Sequence, residues 1–196
     1  MSLSVSMLTR LALAGGLAAL VAGCALPPDR LEGDAPPPVV EGFELDRYLG
    51  RWFEIARYDN RFERGCDGVT ATYATRPGDE ITVINTCRQG GLDGEVEAIE
   101  GRARQVDGAK LEVSFFGPFW GDYWVIELDE AYQWSVVSEP QGRFLWILSR
   151  EPQMDEAVLN ARLERLRALG FDTDALVYPQ QWQSAEAAPV DSERAQ

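Results

Sequence analysis

The sequence predicts an all-β domain of antiparallel strands, a sandwich or an up-and-down barrel, followed by one α-helix. Three observations lead there. Between residues 50 and 150 the chain is a succession of eight short β-type runs separated by turn signals, with no helical pattern between them. Several runs alternate apolar and polar residues with period two, which gives a strand two different faces. After Pro152 the period changes once, to leucines at helical spacing.

The N-terminus comes first. Residues 11–22 read LALAGGLAALVA behind a single cation, Arg10. An apolar run of that length is too short to span a bilayer and fits the core of an export signal. A start at Met7 would give it a shorter leading segment. The run ends in Val21-Ala22-Gly23-Cys24, which resembles the lipobox of bacterial lipoproteins. The resemblance implies removal of 1–23 as a signal peptide and acylation, palmitate included, of Cys24. More than one acyl chain makes such an anchor stable. Ala25 follows rather than Asp, which by the same resemblance favours the outer membrane, periplasmic face. The segment 24–41 carries Pro27, Pro28, Pro36, Pro37 and Pro38 among several acids. It reads as an extended tether that holds the folded body, 42–183, away from the membrane.

The strands follow in order. The first run is 52–58 and the second is 69–75, closed by Arg76-Pro77-Gly78-Asp79. The third, 81–87, meets Gln89-Gly90-Gly91, and the longer fourth, 95–106, meets Asp107-Gly108. The fifth, 110–116, ends at Gly117-Pro118. The sixth, 123–128, turns into the seventh, 132–138, and the turn 139–142 leads to the last, 144–149. Leu111, Val113 and Phe115 interleave with Glu112 and Ser114, and Val69, Ala71 and Tyr73 interleave with Thr70 and Thr72. In 123–128 both faces are apolar, so periodicity assigns no interior there.

Asp155 is the expected N-cap of the helix, with Glu156 in its first turn. Leu159, Leu163, Leu166 and Leu169 form its stripe, arginines follow toward its C-terminus, and Gly170 can close it. That stripe would pack on the outside of the sheet. Residues 175–178 could add a short final strand. The segment 184–196 has no periodic apolar pattern and reads as a disordered tail.

Composition narrows the function. With the leader and tail set aside, 196 residues make one domain whose core needs no metal. The net charge of −14 argues against nucleic acid as a partner and against adsorption to anionic headgroups. There is no histidine, so the commonest general base and metal ligand are missing. No metal site and no cofactor is expected.

Gly50-Arg51-Trp52-Phe53-Glu54-Ile55-Ala56-Arg57 resembles the first lipocalin signature, a Gly-x-Trp entering the first strand. Leu128-Asp129-Glu130-Ala131-Tyr132 resembles the second and Leu145-Trp146-Ile147-Leu148-Ser149-Arg150-Glu151-Pro152 the third. Val69-Thr70-Ala71-Thr72-Tyr73 and Val113-Ser114-Phe115-Phe116-Gly117-Pro118-Phe119 are similar to the bacterial lipocalins, the outer-membrane lipoproteins related to apolipoprotein D. The resemblance spans about 43–182. It implies an eight-stranded antiparallel up-and-down barrel, closed at one end, with the α-helix packed outside and one small ligand inside.

The resemblance places Trp52 and Arg150 together at the closed end, the guanidinium on the indole, with Gly50 permitting close approach. Alternation and the family's register give a candidate lining of Val69, Ala71, Tyr73, Val83, Leu111, Val113, Phe115, Tyr123, Val125, Trp134, Trp146 and Leu148. A hydroxyl of Tyr73 or Tyr123 at the mouth is a candidate for holding a headgroup. Cys66 and Cys87 are the cysteines left once Cys24 is acylated, and export makes them a candidate disulfide. A reactive thiol is the alternative, but no histidine or clear base accompanies either.

The expected function is an outer-membrane-anchored binder, storing or transporting a fatty acid or lysophospholipid in support of envelope maintenance. A second copy of the chain is a further candidate partner. Two alternatives stand beside it. One is a structural envelope lipoprotein. The other is an enzyme on a lipid-like substrate, with Glu54 and Glu127 as candidate acids and no histidine or Gly-x-Ser-x-Gly elbow to support it. Isolated carboxylates on strands read more simply as surface or base residues.

Overall fold

The structure, a computed structural model, describes Leu31 and residues 35–189. Cys24, the export signal and the end of the tail lie outside the described residues.

A short helix α1 (Leu45–Tyr48) leads into β1 (Gly50–Tyr58). Then come β2 (Cys66–Thr75), β3 (Glu80–Gln89), β4 (Glu95–Asp107), β5 (Lys110–Ser114), β6 (Gly121–Leu128), β7 (Trp134–Ser138) and β8 (Leu145–Ser149). Helix α2 (Glu156–Ala168) and a two-residue β9 (Leu176–Val177) complete the chain. From β1 to β8 each strand pairs antiparallel with the next, β1 closes the circle by pairing with β8 as well as β2, and β9 pairs with the end of β1. The result is a closed eight-stranded barrel with one extra strand. Closure removes the unpaired edges that an open sheet would leave exposed.

The sequence placed neither α1 nor the path of the chain before it. Val39, Val40 and Phe43 pack under the barrel interior, and the Val40 amide donates to the Val125 carbonyl (3.1 Å). The tether expectation is therefore corrected for 35–41: Pro37 is buried and this stretch belongs to the body. The tail expectation is corrected for 184–189. Arg51 donates to the carbonyls of Ala185 (3.3 Å) and Pro189 (3.2 Å), and Ala188 is buried.

Two apolar layers follow from the alternation of the strands. The inner layer includes Trp52, Tyr73, Val83, Leu111, Val125, Val137 and Leu148. The outer one lies under α2 and includes Ile126, Val136, Leu145, Ile147, Leu166 and Phe171. Asp155 caps α2 by accepting from the amides of Ala157 (2.9 Å) and Val158 (3.1 Å). Arg162 and Arg165 fasten the helix to Glu127 on β6 at 3.0 and 3.7 Å.

The two ends differ. The base carries α1 and the β6–β7 turn. There Arg150 lies over the Trp52 ring, 3.8 Å from its centroid. Its guanidinium donates to the carbonyls of Arg47, Tyr48, Leu49, Arg51 and Tyr132 at 2.9–3.3 Å. Gly50 has φ +97, and a Cβ there would sit 3.2 Å from an Arg150 nitrogen. The other end, the mouth, is formed by the loops after β1, β3, β5 and β7.

Candidate ligand-binding site

Pairing registers decide which side chains face inward. Ala71 opposes Asn85, Asn85 opposes Ile99, Tyr73 opposes Val83 and Leu111 opposes Tyr123. Ten of the candidate lining residues lie in or against the inner layer: Ala71, Tyr73, Val83, Leu111, Val113, Phe115, Tyr123, Val125, Trp146 and Leu148. Val69 packs instead against Cys66 and Cys87. Trp134 is a correction. It faces outward into the layer beneath α2, with Arg162 4.3 Å above its ring. The next residue, Ser135, is the inward one, and its Oγ is 3.0 Å from the Tyr48 hydroxyl. Both faces of β7 are buried, so apolarity alone carried no information about direction.

The inner layer changes character along the barrel axis. Toward the base, Tyr48, Trp52, Val83, Leu111, Val125 and Val137 are sealed from solvent. Toward the mouth, Ala71, Asn85, Val113, Phe115 and Trp146 keep accessible surface while facing inward. Ile99, inward on β4, is 37% exposed. Gly101 on β4 has no side chain, and the Phe115 ring occupies the place where its Cβ would be.

A chain of hydroxyls divides the two halves. Tyr73 meets Tyr123 at 2.8 Å, Tyr123 meets Tyr48 at 2.9 Å, and Tyr48 meets Ser135. The headgroup expectation for Tyr73 and Tyr123 at the mouth is corrected: both hydroxyls point down to this floor and bond each other. Alternation gives the face of a residue but not its height in a barrel of tilted strands. Burial pushes the Tyr48 phenol up to about 12, and raises Tyr73 and Tyr123 as well, so the floor is uncharged at neutral pH.

Above the floor the wall is not wholly apolar. Glu54 and Arg57 both face inward, bonded at 2.6 Å and almost fully buried. Arg57 also donates to the Glu63 carbonyl (2.6 Å), and the Trp146 indole donates to the Glu63 carboxylate (3.1 Å). Reading Glu54 as a surface or base residue is thus corrected, whereas Glu127 is the outward partner of Arg162. Burial, with the Glu63 charge adding and Arg57 opposing, holds the Glu54 carboxyl well above its usual range. Alternation in the sequence hides this pair. Glu54 and Arg57 are three apart, which period two would place on opposite faces. The register shift between Glu54 and Ala56 turns both inward. Asn85 Oδ1, also inward, has no hydrogen-bond partner among the described residues.

Near the mouth, Cys66 and Cys87 form a disulfide joining the start of β2 to β3. Within the described residues no helix is long and apolar enough to cross a membrane.

Comparison with known proteins agrees with this architecture. Residues 43–181 match the family model described as a lipocalin-like domain. The chain is 45% identical over 146 residues to "Outer membrane lipoprotein Blc" of Vibrio cholerae, covering 72% of this chain and 85% of that protein. It is 41% identical over 168 residues to the protein of the same name from Escherichia coli K12, covering 83% and 90%. Mouse "Apolipoprotein D" is 29% identical, with 71% and 78% covered. Among solved structures, insecticyanin of the tobacco hornworm Manduca sexta superposes with a TM-score of 0.61 at 20% identity, covering 80% of this chain and 88% of that one. The closed antiparallel barrel, its single outer helix and these matches together establish that the chain belongs to the lipocalin family.

Proposed function

We propose that this lipocalin is an outer-membrane-anchored carrier that binds one small hydrophobic ligand, a fatty acid or lysophospholipid, in the mouth half of its barrel. The observation that carries this reading is the accessible inward face above the tyrosine floor: Ile99, Val113, Phe115 and Trp146 turn into the barrel yet keep contact with solvent. Burying a ten-carbon acyl stretch against them would gain roughly 8 kcal/mol gross at ~0.8 kcal/mol per CH₂. The costs of immobilisation reduce that to a micromolar-type affinity. The neutral phenols below stop the chain end, and the Glu54–Arg57–Glu63 group and Asn85 offer polar partners beside it. Anchoring through Cys24 is supported by the lipobox resemblance and by the bacterial relatives, which are named outer membrane lipoproteins. A carrier role accords with family membership, and the residues facing the interior include no nucleophile paired with a base.

Native mass spectrometry of the protein purified without detergent tests this. A co-purifying acyl species of one to one stoichiometry, stripped by delipidation and restored by added fatty acid, is the expected result. A barrel that stays empty in the presence of excess fatty acid and lysophospholipid would overturn it.

A further inference from the structure

The large apolar side chains exposed among the described residues are unevenly placed. Phe62 in the β1–β2 loop is 60% exposed, and Phe116 and Phe119 in the β5–β6 loop are 62% and 75% exposed. Strand order puts these two loops on opposite sides of one mouth. Away from these loops, Val106 is exposed at the base, and Val177 and Tyr178 are exposed at β9 on the flank. Exposed apolar groups gathered at one end of a monomer mark a contact surface.

Charge points the same way. The mouth loops 59–65, 90–94, 115–120 and 139–144 hold three arginines (Arg61, Arg64, Arg143) against four acids (Asp59, Glu63, Asp93, Glu139). Their sum is 3 − 4 = −1, in a chain whose total is −14. Most of the chain's net acidity therefore lies outside these loops.

The path of the N-terminal segment is an independent observation. At Val40 the chain is under the barrel, bonded to Val125. Nine residues upstream, Leu31 bridges to Phe171 and lies against Gly142, in the β7–β8 turn at the mouth. Gly142 has φ +63, and a side chain there would run into Leu31. Cys24 is seven residues before Leu31, a reach of at most about 23 Å at ~3.3 Å per residue. The segment that leads back to Cys24 therefore leaves the body at Leu31, at the mouth end.

We propose that the open end of the barrel docks on the bilayer surface, with Phe62, Phe116 and Phe119 seated in the lipid interface. Ligand then passes between bilayer and barrel without crossing bulk water. The proposal rests on the ligand-binding reading for its purpose but not for its geometry.

The test uses the chain from residue 24 onward carrying Cys24→Ser, which has no acyl group, in flotation with phosphatidylcholine vesicles. The parent protein should float. The Phe62→Ser/Phe116→Ser/Phe119→Ser variant should lose at least tenfold in partitioning, and Val106→Ser should float like the parent. Binding of a fluorescent fatty acid in solution should be unchanged in all three, which also shows that they are folded. A parent that does not float, or a triple variant that floats as well as the parent, overturns the proposal. So does a parent that sediments as a dimer which the triple substitution disperses, since a second copy then covers the mouth. Flotation without fatty-acid binding in any variant would sink the carrier reading and leave the docking surface standing.

Discussion

Buried charge sets the behaviour of single residues here. Arg150 serves five carbonyl groups at once while covering an indole, a task for a planar fork of donors that a lysine could not perform. Three of its partners are the carbonyls of Arg47, Tyr48 and Leu49 just before β1, a fourth is Arg51 inside β1 and the fifth is Tyr132 in the β6–β7 turn, so one side chain fixes the angle at which the chain enters the barrel. Glu54 is the opposite case: burial costs it more than Arg57 returns, and the carboxyl holds its proton above the ordinary value of 4.5. The folded state keeps that proton to higher pH than the unfolded chain. Stability from this group is therefore full below about 4.5 and declines as pH rises through the raised native value. Urea midpoints followed by tryptophan fluorescence should fall with increasing pH across that window, and Glu54→Gln should flatten the decline. An unchanged slope in the variant would assign it to other groups.

At the level of elements, legibility depended on contrast. Turn signals bracketed the strands well because glycine, proline and aspartate interrupt a chain otherwise rich in β-formers. The capped helix was equally plain, since Asp155 and a leucine stripe mark one start and one face. Contrast failed on β7, where Trp134 and Val137 are both apolar, one half-buried under α2 and one buried inside. It failed on β1, where a bulge cancels the alternation that would have separated Glu54 from Arg57. Helix α1 is a single turn with no side-chain cap and leaves no periodic trace. The disulfide is an element-scale constraint, closing a separation of 21 residues across the β2–β3 hairpin. Loop-closure entropy for that length is worth about 3 kcal/mol. Replacing both cysteines by serine should lower the unfolding free energy by about that amount, and a reducing agent should lower the parent to the same midpoint. A loss well under 1 kcal/mol would mean that hairpin pairing already confines the unfolded chain.

The whole barrel divides its labour along its axis, and that division is what the sequence could not show. Period two says which residues turn inward, but height depends on strand tilt and stagger, which only the closed structure fixes. Below the tyrosine floor the inner side chains meet one another and supply the folding core. Above it Ala71, Asn85, Ile99, Val113, Phe115 and Trp146 keep accessible surface, so they contribute less to stability and are available to a ligand. The two halves should therefore respond in opposite ways to substitution. Leu111→Ala, in the sealed half, should cost about 2–5 kcal/mol of unfolding free energy, with little change in fatty-acid affinity among the molecules that remain folded. Ile99→Asp, in the accessible half, should cost under about 1 kcal/mol, because the new carboxylate can reach water. It should nevertheless weaken fatty-acid binding by tenfold or more, since an acyl chain would have to desolvate that charge. Ligand-induced stabilisation reads both quantities in one experiment: at a hundred times Kd the parent should gain about 2.7 kcal/mol. Leu111→Ala should gain as much from its lower starting point, and Ile99→Asp should gain no more than about 1.4 kcal/mol at the same concentration, the value for a tenfold weaker Kd. Equal gains in the two variants would mean that the ligand does not lie above the floor.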